Sequence, residues 1–137
     1  MSVFVDTSVW YAAADSGDAG NSRAKAILAA GEPLVTSDHV LIETWTLVRY
    51  RIRRQAAERF WESLRRGVAA IEPVGAADLE AAWQIGVSYH DQDFSIADRT
   101  SFAVMRRLGI ECAASFDDGF AIFRFGPNRR GAFTILR

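Results

Sequence analysis

The 137-residue sequence has one cysteine, one lysine and no apolar run approaching the roughly 20 residues of a membrane-crossing helix. Cys112 has no second cysteine to pair with, and its apolar, strand-like setting reads as core rather than nucleophile. No basic segment precedes the first apolar run, which is too short for a signal sequence, so the expected location is the cytoplasm, away from membranes. Internal repeats and low-complexity segments are missing as well. A single domain over 1–137 is expected, because a chain of this length buries about two-thirds of its unfolded surface.

An excess of either charge is also lacking. The net charge of −1 argues against a uniformly basic nucleic-acid binder, but the even total conceals an uneven distribution. Lys25 aside, every basic side chain is arginine, and Arg49, Arg51, Arg53, Arg54, Arg59, Arg65 and Arg66 crowd one region. The planar guanidinium fork matches phosphate and carboxylate, so this cluster suits an RNA backbone or an acidic partner. Pairing with Glu58 and Glu62 on a solvated helix face is the alternative.

What is present begins with Val3-Phe4-Val5, an apolar run that stops at Asp6-Thr7-Ser8. Such a run reads as a strand buried on both faces, the kind found in parallel sheets covered by helices. Asp6 then stands at the carboxyl end of the strand, beside the free N–H groups of a helix expected over 7–14. Further helices are expected over 19–30, 38–53, 55–66, 76–89 and 96–108, and strands over 34–36, 68–74, 110–115 and, at the sheet edge, 132–136. Phe60, Trp61 and Leu64 are the expected apolar contacts of the fourth helix, and Leu79, Ala82, Trp83 and Ile85 those of the fifth.

Two acids fall on apolar helix faces. Glu43 comes three residues after Val40 and four before Leu47, and Asp98 lies between Phe94 and Phe102 at helical spacing. A buried, unpartnered carboxylate is costly, so each acid calls for a metal ion or an arginine. Asp98 also sits at the third position of a helix capped by Ser95, where a carboxylate complements the dipole. The run ending in Ser115-Phe116 stops at Asp117-Asp118 and repeats the pattern of the first strand.

Alternating strands and helices predict an α/β fold, three layers deep, around a mostly parallel sheet of about five strands. Asp6 and Asp117 reach one sheet edge directly, and topology is expected to bring Glu43 and Asp98 there. Four carboxylates in one cleft need a cation, and hard oxygen ligands without His or Cys select Mg²⁺ or Mn²⁺. Such an ion lowers the pKa of bound water and stabilises charge on a phosphoryl oxygen, which points to phosphodiester hydrolysis.

Val5-Asp6-Thr7-Ser8, Leu41-Ile42-Glu43-Thr44, the segment Phe94-Ser95-Ile96-Ala97-Asp98 through Phe102, and Ser115-Phe116-Asp117 followed by Phe120 resemble the PIN domain, and more closely the VapC toxins of toxin–antitoxin pairs. The resemblance spans nearly the whole chain. It implies a metal-dependent endoribonuclease whose acid quartet carries over to Asp6, Glu43, Asp98 and Asp117, with Thr7 or Ser8 supporting the first acid. It also implies a homodimer, a VapB-type antitoxin that enters the cleft, and structured RNA substrates such as tRNA or rRNA. Asp93 and Asp118 adjoin the quartet as candidate outer ligands, and Gly119 stands where relatives often carry a polar or basic residue.

Two other readings compete. Phosphoacceptor enzymes with a strand-end Asp need a nearby lysine, and Lys25 lies far from any strand end. A catalytically silent PIN-like module that binds RNA or protein through its arginines is the alternative from a different class.

Overall fold

The computed structural model describes residues 1–137, in which β1 (Val3–Val5), β2 (Leu34–Ser37), β3 (Ala70–Glu72), β4 (Cys112–Ala114) and β5 (Thr134–Leu136) form one sheet. Every pairing is parallel, and the strand order is β3-β2-β1-β4-β5. β1 and β4 are buried throughout, as an apolar run without polar alternation requires. The third and fourth strands are shorter than expected, and β5 is the edge strand as anticipated.

Helices α1 (Thr7–Ala14) and α2 (Asn21–Leu28) link β1 to β2, and α3 (Asp38–Arg51) with α4 (Arg54–Arg65) links β2 to β3. The chain then returns across the sheet through α5 (Ala76–Ser88) and α6 (Ile96–Leu108) to β4, and α7 (Gly119–Ile122) leads on towards β5. Right-handed crossovers place α1 to α4 on one face and α5 and α6 on the other, giving the three layers. Connections from β1 and β4 therefore leave in opposite directions. Their carboxyl ends flank a topological switch point, where a crevice opens.

The termini of α6 explain its placement. Ser95 accepts the Asp98 N–H at 3.0 Å, Asp98 Oδ2 accepts the Ser95 N–H at 3.1 Å, and Gly109 ends the helix at φ 70°. Phe102, one turn after Asp98, meets Phe120 edge-on at 4.9 Å and Phe94 at 5.2 Å. Phe120 follows Asp117 by three residues. The aromatic contact therefore ties α7 to α6 and sets Asp117 beside Asp98.

Two inward assignments are corrected. On α5, Asp78, Ala82 and Ile85 face inward, whereas Leu79 is 47% and Trp83 64% exposed. The reason is Arg107, whose Nε and Nη2 donate to Asp78 at 2.9 Å and pull that carboxylate inward, rotating Leu79 and Trp83 out. On α4, Trp61 is also substantially exposed, while Ala57, Phe60 and Leu64 fill the core.

Candidate metal centre at the sheet edge

Asp6, Asp98 and Asp117 come together at the switch point, with one carboxylate oxygen from each lying within 4.8 Å of the others. Asp6 leaves β1, with its N–H donating to Ala114 O at 3.0 Å in continuation of the sheet. It is 3% exposed. Two hydroxyls hold its carboxylate: Ser8 Oγ and Ser115 Oγ each donate to Oδ2 at 2.9 Å. These hydroxyls in turn accept backbone N–H groups, Ser8 from Phe116 at 2.9 Å and Ser115 from Asp117 at 3.1 Å. The Gly119 N–H donates to Asp117 Oδ1 at 3.2 Å, which fixes the third acid against the start of α7.

Of the two residues expected to support Asp6, Ser8 does so through its side chain. The Thr7 hydroxyl is buried and lacks a partner. Glu43 stands apart from the tight cluster but lines the same cleft, half-buried on the stripe of α3 that continues through Leu47 to Arg51. Asp93 also lines this cleft, from the loop before α6. Asp118 turns to solvent, pairs with Arg137 at 3.3 Å and does not line the cleft.

None of the four acids forms an ion pair. Burial drives the proton affinity of Asp6 upward, and Asp117 adds to the rise, while the hydrogen bonds from Ser115 and Ser8 oppose it. Asp98 is pushed up to about 7, first by burial and then by the charges of Asp6 and Asp117. Carboxylates packed this closely without a cation are destabilising. The donor set is oxygen throughout, so these residues fit a hard divalent ion and fit zinc poorly.

A family model described as the PIN domain matches residues 3–126. The chain belongs to the PIN-domain family. It is 42% identical over 124 residues to the 23S rRNA-specific endonuclease VapC20 of Mycobacterium tuberculosis (strain H37Rv), a match covering 90% of this chain and 95% of that protein. Ribonuclease VapC26 of the same organism is 27% identical over 136 residues, 98% of this chain and 99% of its own length. The crystal structure of M. tuberculosis VapC20, described as a sarcin–ricin loop cleaving toxin, superposes with a TM-score of 0.82 at 41% identity, covering 87% of this chain and 92% of that one. A toxin–antitoxin complex from Klebsiella pneumoniae, 18% identical over 96% of both chains, shares the fold with a TM-score of 0.68.

Several contributors to the PIN-domain cleft were not singled out in the sequence. Ser115 is the chief one, since it connects β1 to β4 through Asp6 and positions Asp117. Its signals were that Ser115 ends the fourth core strand as Asp6 ends the first and that it opens the Ser115-Phe116-Asp117 motif, without a role assigned to its hydroxyl. Asp18 lines the cleft from the loop before α2, where its Oδ1 accepts the Gly20 N–H at 2.7 Å. Removing the Ser115 hydroxyl as Ser115→Ala takes away one of the two hydroxyls on Asp6 and the acceptor of the Asp117 N–H. We expect RNA cleavage to fall by about 10–100-fold in this variant, with far-ultraviolet circular dichroism unchanged.

Proposed function

We propose that this PIN domain is a Mg²⁺- or Mn²⁺-dependent endoribonuclease that hydrolyses phosphodiester bonds in structured RNA, and that it is the toxin of a toxin–antitoxin pair acting in the cytoplasm. The observation that carries this reading is the convergence of three unpaired carboxylates within 4.8 Å at the sheet edge. Among structured RNAs the large ribosomal RNA is favoured, because the 42% identical relative is named as a 23S rRNA-specific endonuclease.

Asp6, Asp98 and Asp117 are the residues that would hold the ion, and Glu43 lines the same cleft from α3. When bound, the ion supplies charge stabilisation on the phosphoryl oxygens and lowers the pKa of water. Ser8 and Ser115 orient Asp6 and, by donating to it, oppose the rise in its proton affinity that burial causes. Glu43, reaching the cleft from α3, accepts a hydrogen bond from the attacking water and aligns it with the scissile phosphorus. As the new P–O bond forms, the attacking water gives its proton to the Glu43 carboxylate, the bond to the leaving ribose oxygen breaks, and that oxygen takes a proton from solvent in the open cleft.

A VapB-type antitoxin and a second copy of the chain complete the proposed assembly. Support for the homodimer comes from α5, where Leu79, Trp83 and Val87 recur every four residues and are all exposed. The reading as a silent binding module predicts no cleavage under any metal condition. Incubating the purified chain with 23S rRNA separates the two. We expect discrete fragments with Mg²⁺ or Mn²⁺ and none in excess EDTA. Intact RNA in Mg²⁺ and Mn²⁺ alike, or equal cleavage in chelator, contradicts the assignment.

A further inference from the structure

We infer that Arg51, seated on the Tyr11 ring, is a phosphate-binding subsite for the RNA strand next to the acid cluster. The inference rests on the reading of this cleft as the RNA-cleaving site. The cleft is lined by six acids, Asp6, Asp18, Glu43, Asp93, Asp98 and Asp117, and by a single basic side chain, that of Arg51. Arg51 pairs with none of them. Its guanidinium carbon lies 5.4 Å from the centroid of the Tyr11 ring, and the Tyr11 hydroxyl donates to Asp15 Oδ2 at 3.4 Å.

A guanidinium within cation–π range of an aromatic ring and without an acidic partner keeps donors free, and its planar fork matches a phosphate. Arg51 closes α3, where a cation complements the helix dipole. Dipole compensation accounts for the charge at this position, but it does not require a place over Tyr11 within the cleft. The spacing supplies the rest. Glu43, Leu47 and Arg51 follow one another at four-residue intervals along the cleft wall, so Arg51 stands about 12 Å beyond Glu43 at 1.5 Å per residue. A strand whose scissile phosphate lies over the acids passes Arg51 with a flanking phosphate.

The rest of the arginine cluster divides. Arg54 pairs with Glu58, and Arg65 and Arg66 pair with Glu62, whereas Arg49, Arg51, Arg53 and Arg59 have no acidic partner. The unpaired members Arg53 and Arg59 line a second groove, together with Asp15, Trp10 and Phe60.

The test compares wild type, Arg51→Ala and Arg51→Lys in two assays. In the first, binding of an RNA hairpin carrying the sarcin–ricin loop is titrated against salt in chelator. We expect Arg51→Ala to bind about 10-fold more weakly and to lower the slope of log affinity against log salt by about 0.7–0.9, the loss of one phosphate contact. In the second, cleavage of 23S rRNA in Mg²⁺, Arg51→Ala raises KM about 10-fold with kcat within a few-fold of wild type, and Arg51→Lys recovers part of the loss. Absence of hairpin binding by wild type, or unchanged affinity and slope in Arg51→Ala, overturns the proposal. A lowered slope in a chain that cleaves nothing upholds the subsite and overturns the nuclease reading instead.

Discussion

Asp6→Asn is expected to reduce Mg²⁺-dependent RNA cleavage by on the order of 10³-fold or more while leaving the fold intact. The asparagine oxygen accepts from Ser8 and Ser115 as the carboxylate does, so the bridges between β1, α1 and β4 persist. What disappears is one of the three charges of the cluster. The neutral side chain also relieves repulsion with Asp98 and Asp117, so the metal-free variant melts no lower than wild type. Cleavage retained within 10-fold of wild type would remove Asp6 from the machinery. Lost cleavage accompanied by a collapsed melting curve would assign it a structural role instead.

The second large effect is on metal-free stability. In the fold Asp98 is pushed up to about 7, from 3.8, by burial and by its acidic neighbours. A carboxyl whose folded value is raised keeps its proton in the native state at pH values where the unfolded chain has lost it. Stability then falls as pH rises between these two values, and the loss is complete above pH 7. In chelator, the melting temperature of wild type is therefore expected to drop from pH 5 to pH 8. Asp98→Asn retains an acceptor for the Ser95 N–H, removes the charge, and raises the midpoint by about 8 °C at pH 8, with little gain at pH 5. Adding Mn²⁺ at pH 8 stabilises wild type and does much less for the variant. A wild-type midpoint independent of pH over this range would mean that Asp98 is not strained by its neighbours.

Much of this was legible where the signal was local. Helices α1 and α6 match their expected bounds residue for residue, because a strand-stopping Asp6, the Asp15-Ser16-Gly17 turn, the Ser95 cap and Gly109 mark their ends directly. The cluster of Asp6, Asp98 and Asp117 followed from strand ends and from one apolar helix face. The misses depended on contacts distant in sequence. Leu79 and Trp83 were expected inside because they share a helical stripe, but Asp78 turns inward to meet Arg107, 29 residues away. Ser115 is an ordinary residue at the end of an apolar run until β4 is laid beside β1. Arg51 could not be separated from its six neighbouring arginines before α1 supplied Tyr11 beneath it. The expected length of the third strand, 68–74, exceeded the observed Ala70–Glu72 because pairing with β2, rather than hydrophobicity, decides where an edge strand stops.

The central claim is that Asp6, Asp98 and Asp117 hold a divalent cation together. The anomalous scattering of Mn²⁺ in crystals grown with the ion tests it most directly. The account predicts a peak bounded by carboxylate oxygens of these three residues, absent in Asp6→Asn crystals prepared in the same way. A cleft that stays without a peak at saturating Mn²⁺, or an ion bound elsewhere with the three acids left unliganded, would contradict it.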